Sequence, residues 1–427
     1  MNNMIDVALC GGGNRPAGVA VVALLAVGIA TMSCSVECAD TLDCGPYEGV
    51  LDGPTTSSSS GTGGAGGSVG GGGTSSSGGS GGGLSGPRLG LGQWHTVYVR
   101  SDGVGRSWGR NDVGQLGNGS TTNSISPTAI TGLAGAVSAV SGSFHSCTLL
   151  SDGQVRCWGA NDQGELGDGT NDPSSGPVDV ATSATTLTSG RDHTCAVTSG
   201  VARCWGDNTY GQLGDGTKLS SNVAVDVAIG PVVALAPSGF HTCALLDDGT
   251  VRCWGYNAQG QLGNSSNAES LVPTPVTGLD SVSAIASGDY HTCALKADAS
   301  VWCWGDGETG QLGNGQVIDS NVPVQVLGLA GVLSLAAGVS HTCAVLSDGG
   351  VRCWGSNNNG KLGDGSSTDS SVPVAVTNLL GVTEVAGGAS HSCAIAQEEV
   401  FCWGSNSQGQ LGDGTLNESH SPVQVQF

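Results

Sequence analysis

The sequence predicts an all-β fold: a seven-bladed β-propeller of four-stranded blades, preceded by a signal segment and a disordered Gly/Ser tether. Three observations lead to this prediction. The pair Trp-Gly recurs seven times, a G-x-L-G turn follows each copy, and a histidine lies 12 or 13 residues before each of these tryptophans. Glycine supplies 75 of the 427 residues and only 11% are charged, which suits short strands and tight turns better than long helices.

Residues 1–33 are predicted to be an export signal. An apolar run from Ala17 to Met32 follows Arg15, as in bacterial signal segments. Its 16 residues are fewer than the number that a membrane span needs, about 20. The segment Thr31-Met32-Ser33-Cys34 is similar to a lipoprotein cleavage box, so Cys34 is the predicted lipidated residue. We therefore expect an exported protein, located in the cell envelope or outside the cell.

The remainder of the chain divides into three parts. Residues 34–54 form a short cysteine-containing segment in which Cys38 can pair with Cys44. Residues 55–86 are almost entirely Gly, Ser and Thr, and such a segment cannot bury enough apolar surface to fold, so we expect a disordered linker. Residues 87–427 are predicted to form the propeller.

Self-similarity within residues 87–427 defines the blades. The repeated tryptophans are Trp108, Trp158, Trp205, Trp254, Trp304, Trp354 and Trp403. The repeated histidines are His95, His145, His193, His241, His291, His341 and His391. Successive histidines are 48 or 50 residues apart. Seven registered copies at this spacing are typical of a repeat architecture.

Four short strands can be assigned in the second copy from apolar alternation and turn residues. They are Pro127 to Ile130, Val137 to Val140, His145 to Leu150 and Gln154 to Trp158. Four strands in nearly 50 residues predict one propeller blade. A solenoid of β-turns is the alternative, but it would leave uncapped ends at both termini.

The two ends of the repeat array predict how the ring closes. Ser421 to Val425 matches the first strand of a repeat, and the folded part begins near Leu89 at the point that matches a second strand. We therefore expect the C-terminal strand to complete the blade that the N-terminus starts, which would remove two open sheet edges.

The stretch from His241 to Asn264 shows most of the pattern H-[TS]-C-x-L-x-x-D-G-x-V-x-C-W-G-x-N-x-x-G-Q-L-G-[DN]-G-[TS] in one piece. This pattern resembles the repeat of the regulator of chromosome condensation family, and the resemblance covers Leu89 to Phe427. It implies a seven-bladed propeller whose loops bind partners. The eukaryotic namesake binds a small GTPase and chromatin and catalyses nucleotide exchange. We do not expect that role in a chain with an export signal and no basic tail, because fold does not fix function. Secreted bacterial relatives that look similar act by binding other proteins, and the resemblance implies such a role here.

Twelve of the 16 cysteines fall in pairs that bracket predicted hairpins. The pairs are Cys147 with Cys157, Cys195 with Cys204, Cys243 with Cys253, Cys293 with Cys303, Cys343 with Cys353, and Cys393 with Cys402. A spacing of ten leaves a three-residue loop such as Ser151-Asp152-Gly153, and that register places the two sulfurs on opposed residues. Blade one has Val97 and Ser107 at the matching positions and so lacks both cysteines together.

The paired cysteines predict disulfides and hence an oxidising compartment. Zinc is the alternative, because a histidine lies two residues before the first cysteine of each pair. We favour disulfides, since His95 persists in the blade without cysteines and a structural zinc site would need a fourth ligand. No metal and no cofactor are therefore expected.

Charge and residue pattern also restrict the function. The formal net charge is −22, with 13 basic residues against 35 acidic ones, so nucleic acid is not an expected partner. Seven equivalent histidines favour an architectural role over catalysis, because a catalytic histidine needs one particular neighbour.

We expect a non-catalytic monomer that binds a protein partner and reaches a membrane only through a lipid anchor. The alternative is a glycan-binding or sialidase-like propeller, although the arginines that such a site needs occupy a repeated position here, as Arg106 and Arg156 do.

A candidate binding surface follows from positions where the blades differ. The cysteine register pairs the residue before each histidine with the residue after Trp-Gly. The predicted pairs are Trp94 with Arg110, Phe144 with Ala160, Asp192 with Asp207, Phe240 with Tyr256, Tyr290 with Asp306, Ser340 with Ser356, and Ser390 with Ser405. Blades one to five thus carry aromatics, an arginine and acids, which are typical binding anchors. Drift at unconstrained rim positions is the alternative explanation.

Overall fold

The computed structural model describes residues 74–76 and 86–427, and in that part the chain forms seven antiparallel sheets arranged as a ring. Each sheet contains four strands from residues 89–424, and Thr74–Ser76 adds a fifth strand to one of them. Within every sheet the strands lie in chain order. The first strands of adjacent sheets contact one another, so the first strand is innermost. The fourth strand is outermost and partly exposed. The predicted fold class, a seven-bladed propeller of four-stranded blades, is confirmed.

The strands of the first four blades have the following bounds. Blade one contains Leu89–Leu91, His95–Val99, Gly105–Gly109 and Ser124–Ala129. Blade two contains Ala136–Ser141, His145–Leu150, Gln154–Gly159 and Ser174–Ser183. Blade three contains Thr186–Ser189, His193–Thr198, Val201–Gly206 and Ser221–Asp226. Blade four contains Val232–Pro237, His241–Leu246, Val251–Gly255 and Ser270–Pro275.

The last three blades repeat this arrangement. Blade five contains Val282–Ser287, His291–Lys296, Val301–Gly305 and Ser320–Gln325. Blade six contains Val332–Ala337, His341–Leu346, Val351–Gly355 and Ser370–Ala375, with a 3-10 turn at Asn358–Gly360. Blade seven contains Val382–Gly387, His391–Ala396, Glu399–Gly404 and Ser419–Gln424. None of the helices among the described residues has the length and apolar character to cross a membrane.

The N-terminal region is described only at Thr74–Ser76, which pairs antiparallel with the first strand of blade six, Val332–Ala337, and lies at the inner edge of that sheet. These three residues belong to the segment that the sequence predicts to be a disordered linker. The predicted export signal, the lipidation site Cys34, the pair Cys38 and Cys44, and the rest of the linker lie outside the described residues.

Two expectations about strand order are wrong. The strand expected to start the second copy, at Pro127, is the outermost strand of blade one, and each blade instead begins one strand later. The C-terminal strand Ser419–Gln424 is accordingly the fourth strand of blade seven and does not complete blade one. No strand is shared between the two ends because the segment at Leu89 matches an innermost strand. Each repeat therefore runs from the axis of the ring outward.

The blades are joined at seven equivalent seams by a shared backbone carbonyl. The carbonyl of residue x in each G-x-L-G turn accepts the indole N–H of the next blade's tryptophan at 2.9 Å. The second glycine of the turn lies against that indole: a β-carbon on Gly117, whose φ is +64°, would come within 2.7 Å of Trp158 Nε1. This close approach requires glycine, which explains why the turn recurs with each tryptophan.

The repeated histidines form a closed circle of hydrogen bonds. Each histidine Nε2 lies 2.7–2.9 Å from the Thr or Ser hydroxyl that follows the histidine of the next blade, and His391 reaches Thr96 across the junction of the chain ends. Six of these hydroxyls donate to the same carbonyls that accept the tryptophans. A hydroxyl has one proton to donate, so at these seams Nε2 must be the donor. The expected architectural role of the histidines is consistent with this geometry.

The seam between the chain ends carries additional contacts. The carbonyl of Gln410 accepts the indole N–H of Trp108, as at every other seam. The Glu384 carboxylate accepts the backbone N–H groups of Arg88 and Leu89 at 2.8 and 2.9 Å. Phe427 packs against Trp108, with ring centroids 6.0 Å apart. Side chains therefore close the ring at the place where a shared strand was expected.

All six predicted disulfides are present. Each joins directly opposed residues of the second and third strands, with Cα atoms 4.0 or 4.1 Å apart. The hairpin turns have the expected chemistry, since Gly153 adopts a φ of +87°. Val97 and Ser107 occupy the same register in blade one. The twelve cysteines are therefore bonded to one another in pairs.

Acidification is expected to destabilise the propeller below about pH 6.5. Burial lowers the pKa of His95, His145, His241 and His391 to about 3 and that of His193 and His291 to about 4, and it also lowers the pKa of His341. These histidines stay neutral when folded but take up protons near pH 6.5 when unfolded. Each extra proton that the unfolded chain binds lowers the unfolding free energy by about 1.4 kcal/mol per pH unit. The unfolding free energy therefore decreases as the pH falls below about 6.5.

Three buried carboxyls oppose this trend without cancelling it. Burial raises the pKa of Glu165 and Glu384 to about 7 and that of Asp306 to about 6, so these groups take up protons in the folded chain. Seven histidines outnumber these three carboxyls together with Asp192, whose pKa burial also raises. We therefore expect denaturant-derived unfolding free energies to fall between pH 7.5 and pH 5. A constant or rising unfolding free energy over that range would show that the histidines are not buried and neutral.

A seventh disulfide is expected to stabilise blade one. In the double variant Val97→Cys, Ser107→Cys the new bridge would close a loop of ten residues, which contributes about 2–3 kcal/mol by chain entropy. The variant loses the hydrogen bond from Ser107 Oγ to the Leu116 carbonyl, at a cost of about 1 kcal/mol. We expect a net gain of about 1–2 kcal/mol in thermal or denaturant unfolding. The reduced double variant is the control, and an oxidised form no more stable than the reduced form would contradict the prediction.

Candidate functional site

The loops between first and second strands and between third and fourth strands lie at one end of every blade, because each histidine pairs with the glycine of Trp-Gly. We call this end the aromatic face and the opposite end the hairpin face. All seven predicted residue pairs are present on the aromatic face. In each, the residue after Trp-Gly donates its backbone N–H to the carbonyl of the residue before the histidine, as Arg110 does to Trp94 at 2.9 Å.

Residues of blades one and two form the first aromatic group, which we call the Trp94 cluster: Trp94, Arg110 and Phe144. The rings of Trp94 and Phe144 lie 5.8 Å apart. The Arg110 guanidinium lies 4.6 Å from the Trp94 ring centre and 5.2 Å from that of Phe144, within cation–π range. Its Nε also donates to Asp112 at 2.7 Å. The structure thus brings together three predicted residues from two blades.

Residues of blades three to five form a larger group, the Phe240 cluster: Tyr210, Phe240, Tyr256, Tyr290 and Arg191. Phe240 stacks on Tyr290 at 5.1 Å, and Tyr210 meets Tyr256 edge-on at 4.9 Å. The Arg191 guanidinium lies 5.2 Å from the Phe240 ring centre. All four aromatic side chains are half-buried, so each packs against its neighbours and also presents an edge or face to solvent.

Sequence reasoning missed two members of the Phe240 cluster. Tyr210 lies just before the first glycine of its G-x-L-G turn, where Val113, Gln163 and Asn359 stand in other blades. Comparing that position across the repeats would have singled it out as the one aromatic. Arg191 lies two residues before its histidine and bonds to Asp192. No pattern in the sequence indicated that it reaches the Phe240 ring.

The predicted acidic residues lie beside the Phe240 cluster in different environments. Asp192 accepts from Arg191 Nε at 3.0 Å, and burial raises its pKa. Asp207 accepts from Gln212 Nε2 at 2.6 Å and from the Thr209 backbone N–H at 3.0 Å. Burial, together with the nearby Asp319 and Glu308 carboxyls, raises the pKa of Asp306 to about 6. Asp306 also accepts a hydrogen bond, from the backbone N–H of Glu308 at 2.9 Å, but the charged groups around it are acids.

Blades six and seven lack such anchors. Ser340 and Ser356 occupy the paired positions in blade six, and Ser390 and Ser405 occupy them in blade seven. The aromatic face is therefore asymmetric around the ring, with its aromatic groups confined to blades one to five. Nowhere in the described part of the chain do three His, Cys, Asp or Glu side chains group so as to hold a metal ion.

Residue x of the G-x-L-G turns adds two buried charges to this face. It is glutamine in five blades but Glu165 in blade two and Lys361 in blade six. Each of these two side chains is only 5% exposed. Burial raises the pKa of Glu165 to about 7 and lowers that of Lys361 to about 8.

Comparison with known proteins agrees with this geometry. A sequence model of the RCC1-like domain matches residues 137–427, and a model of the regulator of chromosome condensation (RCC1) repeat matches residues 107–149. No curated protein sequence matches the chain.

Three solved structures illustrate the shared fold. Yeast RCC1 (Prp20), solved bound to Kap60, gives a TM-score of 0.70 at 23% identity over 81% of this chain and 85% of that chain. Prp20p from Saccharomyces cerevisiae gives 0.69 at 24% identity, over 81% and 87% of the two chains. Human WBSCR16 gives 0.68 at 24% identity, over 75% and 93%.

Replacing Glu165 with glutamine is expected to stabilise the protein at alkaline pH. The folded wild type holds the Glu165 proton up to about pH 7, whereas the unfolded chain releases it near 4.5, so the wild type loses stability as the pH rises between these values. Glu165→Gln removes that loss and matches the glutamine of five other blades. We expect a gain of roughly 3 kcal/mol in unfolding free energy at pH 8, since each pKa unit corresponds to 1.36 kcal/mol. The gain should be small at pH 5, and an equal gain at both pH values would contradict this explanation.

Proposed function

Because this chain belongs to the RCC1-like domain family, we propose that it is a non-catalytic scaffold that binds a protein partner through the aromatic face of blades one to five. The proposed contact residues are the members of the Trp94 and Phe240 clusters together with the acids beside them, Asp192, Asp207 and Asp306. We further propose that the protein works after export, in the cell envelope or outside the cell.

The distribution of aromatic side chains carries this proposal. Aromatic residues and arginine are enriched at the energetic centres of protein interfaces. Here six aromatic residues stand half-buried on one face. In blades six and seven the positions before the histidine and after Trp-Gly hold serine, and the position of Tyr210 holds Asn359 and Gln408. The repeated residues are buried in the seams and already hydrogen-bonded, which leaves the variable positions as the surface that can recognise a partner.

The nature of the partner is supported by charge and by related structures. Yeast Prp20, which has the same fold, was solved bound to Kap60 and was studied for binding to Gsp1p and histones. A net charge of −22 disfavours direct contact with a phosphate backbone. We therefore propose a protein partner and no nucleic acid.

The proposed compartment is supported by the cysteines. Six disulfides, all with cysteines at most 1% exposed, lie within the blades, and such bonds persist mainly in oxidising compartments. The export signal and the lipid anchor at Cys34 remain part of the proposal.

Removal of the aromatic anchors is expected to abolish partner capture. The double variant Trp94→Ser, Phe240→Ser places in blades one and four the residue that blades six and seven carry naturally, so the fold should be preserved. Loss of two anchors typically costs 2 kcal/mol or more each, which corresponds to a decrease in affinity of about 30-fold or more for each anchor. The measurement is quantitative capture of proteins from envelope and culture medium by the immobilised chain.

The matched control is Ser340→Ala, Ser390→Ala at the equivalent positions of blades six and seven. Capture that is lost in the aromatic variant and retained in the control supports the proposed face. Equal capture by the wild type and the aromatic variant would refute it.

A further inference from the structure

We propose that the occupant of the aromatic face is a lysine- and arginine-rich segment of the partner protein, seated on blades three to five. This inference rests on the proposed function and adds the chemistry of the ligand. It follows from the distribution of charge between the two faces, from the state of the basic residues on the aromatic face, and from the surroundings of Asp306.

The charge of the propeller is concentrated at one end. The loops that form the aromatic face carry 17 of the 29 acidic residues between positions 86 and 427, but only four of the 12 basic ones. The rest of that region carries 12 acidic and eight basic residues. A cationic segment is therefore attracted towards the aromatic face, whereas a second copy of this acidic chain would be repelled.

The four basic residues of the aromatic face are already engaged. Arg110 is paired with Asp112, Arg191 with Asp192, and Lys218 with Glu269. The fourth, Lys361, is 5% exposed. An approaching partner therefore meets carboxylates whose charge exceeds that of the resident cations.

Blade five carries three acidic residues, Asp306, Glu308 and Asp319, next to the Phe240 cluster. Asp306 donates its backbone N–H to the Tyr290 carbonyl at 2.8 Å, so the two residues are directly paired on the aromatic face. Its neighbours Glu308 and Asp319 are exposed and add to the negative charge around it. Among the charged groups that shift its pKa, none is basic. An incoming ammonium or guanidinium would relieve this repulsion.

The aromatic and aliphatic side chains around these acids can contact the methylene groups and the cationic ends of lysine or arginine side chains. Tyr256 and Tyr290 present half-buried rings, and a cation over such a ring gains a cation–π contribution. Arg191 already makes this contact with Phe240 inside the chain. Val317 and Ile318, in the same loop as Asp319, are 60% and 63% exposed. They offer apolar surface to the methylene groups of lysine or arginine.

The test is to measure, by fluorescence anisotropy at two salt concentrations, how tightly a labelled nine-residue oligolysine peptide binds to the full chain. The test variant is Asp306→Asn, Glu308→Gln, Asp319→Asn, in which amide oxygens can still accept the loop hydrogen bonds. The control is Asp248→Asn, Asp298→Asn, Asp348→Asn, three exposed turn residues of the hairpin face. Both variants change the net charge equally, so the comparison separates a local site from general attraction to an acidic protein.

We expect the blade-five variant to bind oligolysine at least tenfold more weakly than the wild type, and the control variant to bind within twofold of it. Raising the salt from 50 to 300 mM should weaken wild-type binding, because salt screens charge. Equal weakening in both variants would overturn the inference, as would binding of a neutral oligosaccharide in preference to oligolysine.

The two proposals fail in distinguishable ways. If partner capture depends on Trp94 and Phe240 but is unaffected by the blade-five charge variant, the aromatic face binds a protein and the inference about a basic segment is wrong. If capture is insensitive to the aromatic variant, the proposed function itself is wrong, whatever the oligolysine result.

Discussion

The backbone carbonyl in the middle of each G-x-L-G turn is the point on which the ring depends. It accepts an indole N–H from the next blade at all seven seams and a hydroxyl at six of them. Both donors are buried, and a buried donor without a partner costs roughly 1–3 kcal/mol. The second glycine of the turn makes this geometry possible, because any side chain there would collide with the indole. Tryptophan, glycine and hydroxyl thus recur together as parts of one contact.

That contact also explains how the ring closes without a shared strand. The seam between blades seven and one uses the same carbonyl, indole and histidine–hydroxyl bonds as the other six. In addition, the Glu384 carboxylate accepts the backbone N–H groups of Arg88 and Leu89, and the Phe427 ring packs against Trp108. A propeller whose side chains bond every seam in the same way has no need of strand exchange between its termini, because the final seam is as well bonded as any other.

The side chains at the repeated positions are already bonded to each other inside the propeller, so the side chains that vary between blades are the ones available for binding. The histidines are buried and engaged with hydroxyls, and the cysteines are bonded in pairs. The side chains that differ from blade to blade gather on one face, where aromatic rings from adjacent blades contact each other. Because neighbouring loops converge on that face, residues 50 positions apart in the sequence, such as Trp94 and Phe144, have ring centroids only 5.8 Å apart.

Local spacing in the sequence determined the number of blades, the six disulfides and the pairing of residues such as Phe240 with Tyr256, because each of these is set within one hairpin ladder. The order of strands within a blade required the tertiary structure, since the repeat reads the same whichever strand is counted first. The tertiary structure also brought Tyr210 and Arg191 to Phe240 and Glu384 to the backbone of Leu89. These contacts cross a seam between blades, and no periodicity within a single blade encodes them. Burial likewise set the pKa of Glu165 apart from that of an ordinary glutamate, because only the packed neighbours of a carboxyl decide how far it is removed from water.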